Sequence, residues 1–249
     1  MPHPDDPRCT EAVHASPPSA RRRRGIVVAA SLVAVLLGAV VADRFAAARA
    51  ESRTAEAFQD GMGTAERPSV RVSGFPVLPQ LAGGSLRHVD LTAHDIPADG
   101  ADRPLPVTQL TVALDELRTS GDADEAHADS VDATAFLSYE DVSAALGVTV
   151  SRGDEPGRVN ATATLPLAGD VTVSAAVSAA PGNRIAFKDV QAVDGELLPP
   201  LRTLLDKALE TPVPLRNIPE GLHLRSVTPT PAGIEARFTG TSVTFRPGG

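Results

Sequence analysis

The feature that most limits the fold of this chain is a repeated alternation of apolar and polar residues with a period of two. Such stretches recur from residue 70 onward, separated by short segments rich in Gly, Pro, Asn and Asp. A period of two places alternate side chains on opposite faces of a strand, and short turns join antiparallel neighbours. The sequence therefore predicts a mostly antiparallel meander with strands at 70–73, 88–94, 108–114, 130–137, 148–151, 158–165, 171–179, 184–190, 222–228 and 234–245.

Two segments interrupt this pattern with helical spacing. In the first, Ser138 and Asp141 have the spacing of a capping pair and Gly147 is placed to end a helix. In the second, a stripe of leucines spans residues 197–209, and Pro212 follows it. The predicted fold class is therefore α+β, a long, curved, mostly antiparallel sheet wrapped around the 197–209 helix.

Residues 25–42 carry no charge and directly follow four arginines, Arg21–Arg24. As a helix they would span about 27 Å, close to the thickness of a bilayer core. Because basic residues stay on the cytoplasmic side, we expect a single-pass signal anchor with residues 1–24 as a disordered cytoplasmic tail. A cleaved signal ending at Ala50 remains the alternative, although the apolar run is longer than a usual signal core.

The residues after the apolar run are rich in Ala, Arg and Glu, which are good helix formers. We expect residues 43–62 to continue the helix outward as a polar stalk, which Gly61 and Gly63 end. Residues 63–249 then form one extracytoplasmic domain, which is long enough to bury its own core.

Charge and cysteine content restrict the partners of the chain and the source of its stability. The formal net charge is −8, which disfavours nucleic acid as a partner. Cys9 is the one cysteine in the sequence, so the exported domain has no disulfide and depends on packing for stability.

A more specific signal lies between residues 70 and 91. It reads Val-x-Val-x-Gly-Phe-Pro-x-Leu-x-Gln-Leu, followed by glycine and then by Val89-Asp90-Leu91. This pattern resembles the opening of the LmeA-type family of phospholipid-binding envelope proteins of actinobacteria. The resemblance implies a fold similar to the tubular lipid-binding superfamily, binding of phosphatidylinositol-type phospholipid, and support for maturation of mannosylated glycolipids. Members often have a second aromatic residue where this chain has Val77.

A lipid carrier must shield acyl methylenes, each worth about 0.8 kcal/mol, inside a continuous apolar slot. With the resemblance, this requirement indicates lipid contacts at the mouth of the slot from Phe75, Leu78 and Leu81. Along the slot, the predicted contacts are Leu201, Leu204 and Leu205. The alternative is a structural envelope domain with a filled interior that binds protein partners and no lipid.

Other candidate sites are weaker. His88, Asp90 and His94 share strand parity, so they form either a zinc site or the solvated face of a half-buried strand; the second interpretation is favoured because the two histidines would lie about 20 Å apart. The sequence contains no G-x-S-x-G nucleophile motif and no phosphate-binding glycine loop. We therefore expect no catalytic residues, no metal and no cofactor, and a binding protein in preference to an enzyme.

Overall fold

A computed structural model describes residues 20–99, 105–119, 125–165, 169–193, 211–216 and 218–245, with the side chains of 20–32, 57, 61 and 165 outside that description. The predicted 197–209 helix lies outside the described residues, as does the predicted tail up to residue 19. The chain divides into two compact units, Met1–Ala42 and Asp43–Gly249.

The helix α1 occupies Ala20–Met62. It ends where predicted, because Gly63 takes a φ of +65° and its amide donates to the carbonyl of Gln59 at 2.9 Å. Over the part of the chain that the structure describes, no helix is both long enough and apolar enough to span a membrane. The predicted span at 25–42 is helical but is not confirmed as a membrane segment.

The part of α1 after Ala42 packs on its own domain and does not form a free stalk. Ala47 and Ala55 lie on one face of the helix and are buried in the core. Between them, Glu51 Oε1 accepts a hydrogen bond of 2.8 Å from the amide of Val72 in β1 (Ser69–Ser73). Because β1 is an edge strand, this bond satisfies an amide that no neighbouring strand pairs. The small side chains that raise helix propensity here also let the helix approach the sheet.

The first sheet has six strands in the order β1-β2-β3-β4-β11-β10, and every neighbouring pair is antiparallel. The strands after β1 are β2 (Ser85–Ile96), β3 (Val107–Thr119), β4 (Ala126–Ser138), β10 (Glu220–Pro229) and β11 (Gly233–Phe245). The last strand returns from the end of the domain and pairs with β4 along its whole length. The strands predicted for this sheet are therefore present, and each is longer than its alternating stretch.

The second sheet has five strands in the order β5-β6-β7-β8-β9. They are β5 (Thr149–Arg152), β6 (Arg158–Leu165), β7 (Gly169–Ala180), β8 (Arg184–Ala192) and β9 (Val213–Pro214). The prediction of one continuous sheet is wrong. Both edges of β4 are occupied, by β3 and β11, so β5 cannot pair beside β4 and begins a new sheet. The short β9 has too few residues to show a period.

Two short helices complete the described elements: α2 (Val77–Ala82) and α3 (Tyr139–Leu146). Ser138 caps α3 by accepting from the amide of Asp141 at 3.0 Å, and Gly147 ends it with a φ of +68°, as predicted. Helical spacing predicts Leu146 on the apolar side of α3, but this residue is 54% exposed. A single core contains Val77 of α2, residues of the first sheet, and Val159 and Val177 of the second sheet.

Candidate functional site

The helix α2 buries one apolar and one polar side chain and leaves two leucines exposed. Val77 and Gln80 point into the domain, with exposures of 1% and 8%. Phe75, Leu78 and Leu81 point outward, with exposures of 56%, 42% and 37%. These three residues are called the α2 apolar face. Of the predicted mouth residues, Leu78 and Leu81 therefore lie exposed on α2, and Phe75 is exposed in the turn just before it.

Gln80 explains why a polar side chain faces inward. Its Nε2 donates to the carbonyl of Gly74 at 2.6 Å and to the carbonyl of Pro76 at 2.8 Å. Its Oε1 accepts from the amide of Arg87, at the start of β2, at 2.9 Å. One side chain thus satisfies three backbone groups that lie in no regular ladder. It ties the turn before α2 to the strand after it.

Gly74 makes the turn that starts this loop. Its φ of +97° lies in a region that residues with a Cβ rarely adopt. A Cβ there would also lie 3.2 Å from Gln80 Nε2 and 3.5 Å from Arg87 Cδ. Both the backbone conformation and the close approach of Gln80 therefore call for glycine at this position of the motif.

Asp43 of α1 supplies the cap that α2 lacks. Pro76, at the N-cap position, makes no side-chain cap. Asp43 Oδ1 instead accepts from the amide of Leu78 at 2.7 Å, and this residue is only 2% exposed. Its other oxygen, Oδ2, is buried without a hydrogen-bond partner among the described residues.

The sequence alone does not identify Asp43 and Gln80 as the residues that hold α2 in place. It places Asp43 in the stalk, although this is the first charged residue after the apolar run. It treats Gln80 only as part of the family-like motif. The position of Gln80 three residues after Val77 is the available signal, because that spacing places both on one helix face.

A second apolar surface lies on β6 and β7. Their register pairs Val159 with Ala175, Ala161 with Val173, and Ala163 with Val171, so these six side chains share one sheet face. Val159 and Ala175 are buried, whereas the other four are half-buried. This β6–β7 apolar face is therefore closed at one end and partly open at the other.

The opposite face of the same two strands is polar and is largely paired internally. Arg158 is buried, and its guanidinium donates to Ser174 Oγ at 3.0 Å and to the carbonyls of Ser174 and Asp189 at 3.0 and 2.6 Å. Thr162 and Thr172 share a hydrogen bond of 2.9 Å across the strands. Arg158 thus fastens β6 to β7 and β8, a role that explains its burial without a bound anion.

On β2, His88 pairs with one carboxylate across the strands and one on its own strand, while His94 is exposed. His88 Nδ1 lies 2.5 Å from Asp115 Oδ1 on β3, and His88 Nε2 lies 3.2 Å from Asp90 Oδ1. The hydrogen bond to Asp115 raises the pKa of His88, with a smaller contribution from Asp90. Val89 and Leu91 are buried between these positions, as expected for one solvated and one buried strand face. Among the described residues, no group of three His, Cys, Asp or Glu is arranged to hold a metal ion.

The predicted slot residues Leu201, Leu204 and Leu205 lie outside the described residues. Of the six predicted lipid contacts, the structure places Leu78 and Leu81 on α2 and Phe75 in the turn before it, all three exposed. It adds the β6–β7 apolar face, which the sequence indicates only as strands rich in small side chains.

Comparison with known protein families gives a match over most of the chain. A family model described as LmeA-like phospholipid-binding matches residues 41–239, a region that contains α2, the second sheet, most of the first and the domain-packed part of α1. No curated protein and no solved structure matches the chain.

Proposed function

The chain belongs to the LmeA-like phospholipid-binding family, and we propose that its domain binds a phospholipid outside the cytoplasm without acting on it chemically. The family match carries this proposal, because it extends over nearly the whole folded unit Asp43–Gly249 and not over one motif alone. We therefore expect the whole fold to be needed for the function, and we expect side chains of the two sheets to form the lipid-binding site.

The β6–β7 apolar face is the described surface best suited to an acyl chain. Valine and alanine side chains leave more room above a sheet than aromatic residues do. Half-buried Ala161, Ala163, Val171 and Val173 are accessible enough to contact a ligand and apolar enough to be stabilised by it. Leu201, Leu204 and Leu205 remain the predicted contacts along the slot, and the α2 apolar face its predicted mouth.

We further propose that residues 25–42 anchor the protein in the cytoplasmic membrane, with the amino terminus inside. The uncharged run after Arg21–Arg24 supports this topology. Cys9 provides the test, because it is the one cysteine in the sequence. A membrane-impermeant maleimide should label Cys9 only after cells are permeabilised. Labelling of intact cells, or a mature chain that begins after Ala50, would contradict the anchor.

The finer proposals are the lipid class and the cellular role: phosphatidylinositol-type ligands, and support for maturation of mannosylated envelope glycolipids. Native mass spectrometry of the full-length chain, extracted in a mild detergent, tests the ligand. We expect a bound phospholipid that survives gel filtration and exchanges with added labelled phosphatidylinositol.

A substitution on the β6–β7 apolar face locates the slot. Val173→Phe adds bulk where the acyl chain would lie and should lower the amount of bound phospholipid with little change in melting temperature. Val213→Phe, at an exposed position of β9, is the matched control. A wild-type chain that is lipid-free and takes up no added phospholipid would refute the proposed function and favour a scaffold domain. Unchanged lipid content in Val173→Phe would refute only this location.

A further inference from the structure

The exposure of the α2 apolar face has no explanation in the packing of the domain. Phe75, Leu78 and Leu81 are the large apolar residues of the loop between β1 and β2 that remain exposed, while Gln80 occupies an inward position. The inward position of Gln80 is accounted for by its three hydrogen bonds, but the exposure of the three apolar side chains leaves favourable apolar burial unrealised in water. The loop is therefore shaped to present apolar side chains to surroundings other than water.

The loop that carries these three apolar side chains is held in place by several contacts. Gln80 holds the loop through three hydrogen bonds, Asp43 holds the first turn of α2, and the amide of Thr119 donates to the carbonyl of Gly84 at 3.0 Å. Val77 fixes the helix to the core. Outward-pointing side chains on a fixed support lose little conformational freedom when they enter another phase.

The charge around this face departs from that of the whole chain. Residues 74–87 contain no Asp or Glu, and Arg87 is their one charged residue, although the chain as a whole carries −8. Arg87 is exposed and its side chain lies beside Gly74. Arg44, next to the capping residue Asp43, is also exposed. The carboxylate that bonds this loop, Asp43, faces inward and is buried.

We propose that the α2 apolar face docks onto the surface of an anionic bilayer, with Phe75, Leu78 and Leu81 at the boundary between headgroups and acyl chains and Arg87 at the level of the phosphates. Exposed apolar side chains edged by arginine are the combination that interfacial membrane binding uses. The inference rests on the proposed function and deepens it by naming the surface through which the domain meets its lipid source.

The direct covalent link between the proposed anchor and the domain also favours a bilayer as the surface that the α2 apolar face contacts. The proposed anchor ends at Ala42, and the carboxylate of the next residue, Asp43, bonds the amide of Leu78. Under the proposed topology, Asp43 lies at the outer surface of the membrane. Leu78 is then brought to the same surface by a direct hydrogen bond, with no linker between.

Depth-dependent fluorescence quenching tests the docking. The full-length chain carries Cys9→Ser and Leu78→Cys, with a polarity-sensitive fluorophore on the new thiol, in vesicles that contain nitroxide-labelled lipids. The matched control places the same label through Leu146→Cys, at an exposed apolar position on α3. We expect strong quenching and blue-shifted emission at position 78 and neither effect at position 146, with more quenching when phosphatidylglycerol is added to phosphatidylcholine.

Two variants separate the apolar from the electrostatic part. The double substitution Phe75→Ser and Leu81→Ser removes two exposed apolar side chains and should lower the docked-to-undocked ratio about tenfold. Arg87→Gln should abolish the added quenching that phosphatidylglycerol produces, whereas Arg237→Gln, at an exposed position of β11, should not. All of these positions are solvent-facing, so the melting temperature should stay near that of the wild type.

Equal quenching at positions 78 and 146 would overturn the docking proposal. Shielding at position 78 that depends on protein concentration and not on nitroxide lipid would also overturn it, because the occupant would then be a second copy of the chain. These outcomes are independent of whether a phospholipid is retained in the β6–β7 slot. The failure of docking and the failure of lipid binding are therefore distinguishable.

Discussion

Gln80 offers the sharpest test of how the α2 loop is held. Gln80→Met keeps the length and approximate shape of the side chain but removes both of its hydrogen-bonding groups. The carbonyls of Gly74 and Pro76 and the amide of Arg87 would each lose a partner in a part-buried environment. An intramolecular hydrogen bond contributes about 1 kcal/mol, and a buried group left unpaired costs about 1–3 kcal/mol.

The expected loss of stability follows from these values. Three bonds give about 3 kcal/mol, since part of the turn is near enough to solvent for water to replace some of the lost contacts. For a domain of this size, each kcal/mol lowers the melting temperature by about 2–4 °C. Gln80→Met should therefore lower it by about 6–12 °C, measured by circular dichroism on the full-length chain in a mild detergent.

Gln80→Glu separates the donor from the acceptor. The introduced carboxylate can still accept from the amide of Arg87, but an oxygen would replace Nε2 opposite the two carbonyls. Repulsion from those carbonyls and burial would raise the pKa of the introduced carboxyl group in the folded state, so protonation should recover part of the stability. Because a raised pKa favours the folded state at low pH, the destabilisation should shrink as the pH falls.

Gln109→Met, at an exposed position on β3, is the control and should change the stability by no more than about 0.5 kcal/mol. Hydrogen exchange provides the local readout, since the amide of Arg87 should exchange faster in Gln80→Met. A melting temperature equal to that of the wild type, with unchanged exchange at Arg87, would refute the proposed role of Gln80.

Two further predictions concern the sheet. Gly233→Ala should destabilise the domain by about 3 kcal/mol or more, because the added Cβ would overlap the carbonyl oxygen of Leu137. Gly147→Ala, where nothing lies within 4 Å, should cost only about 1 kcal/mol for its positive φ; equal melting temperatures for the two variants would contradict this. The hydrogen bond with Asp115 raises the pKa of His88 above its ordinary value of about 6.5, so its stabilisation is fully present below that value and is lost as the pH rises through the folded-state pKa. His88→Gln should flatten this part of the pH dependence of melting, and an NMR titration of His88 at or below its ordinary pKa would show the reasoning to be wrong.

Local signals in the sequence are sufficient for most elements of the described fold. Alternation locates the strands, Ser138 and Gly147 locate both ends of α3, and Gly63 locates the end of α1. These features depend on neighbours within a few residues, which a sequence pattern records directly. The 70–91 motif likewise indicates the family that the comparison then finds.

The arrangement of those elements depends on partners far apart in the chain. The pairing of β11 with β4 divides the strands into two sheets, and no local pattern shows that the edge of β4 is already occupied. The same is true of Asp43, whose partner Leu78 lies 35 residues away. The helix that carries Asp43 is predicted correctly from the sequence, but its packing against the domain is not.

The sequence by itself determined that this chain has an uncharged segment behind four arginines, a β-rich domain without disulfides, and a Gly-Phe-Pro motif characteristic of a phospholipid-binding family. Only the tertiary structure decided what the motif does, because the direction of a side chain depends on what is packed beneath it. Burial of Val77 and Gln80 turns Phe75, Leu78 and Leu81 outward. From the sequence alone, these apolar residues could equally have filled the core. In the structure they are instead the exposed apolar side chains of the β1–β2 loop.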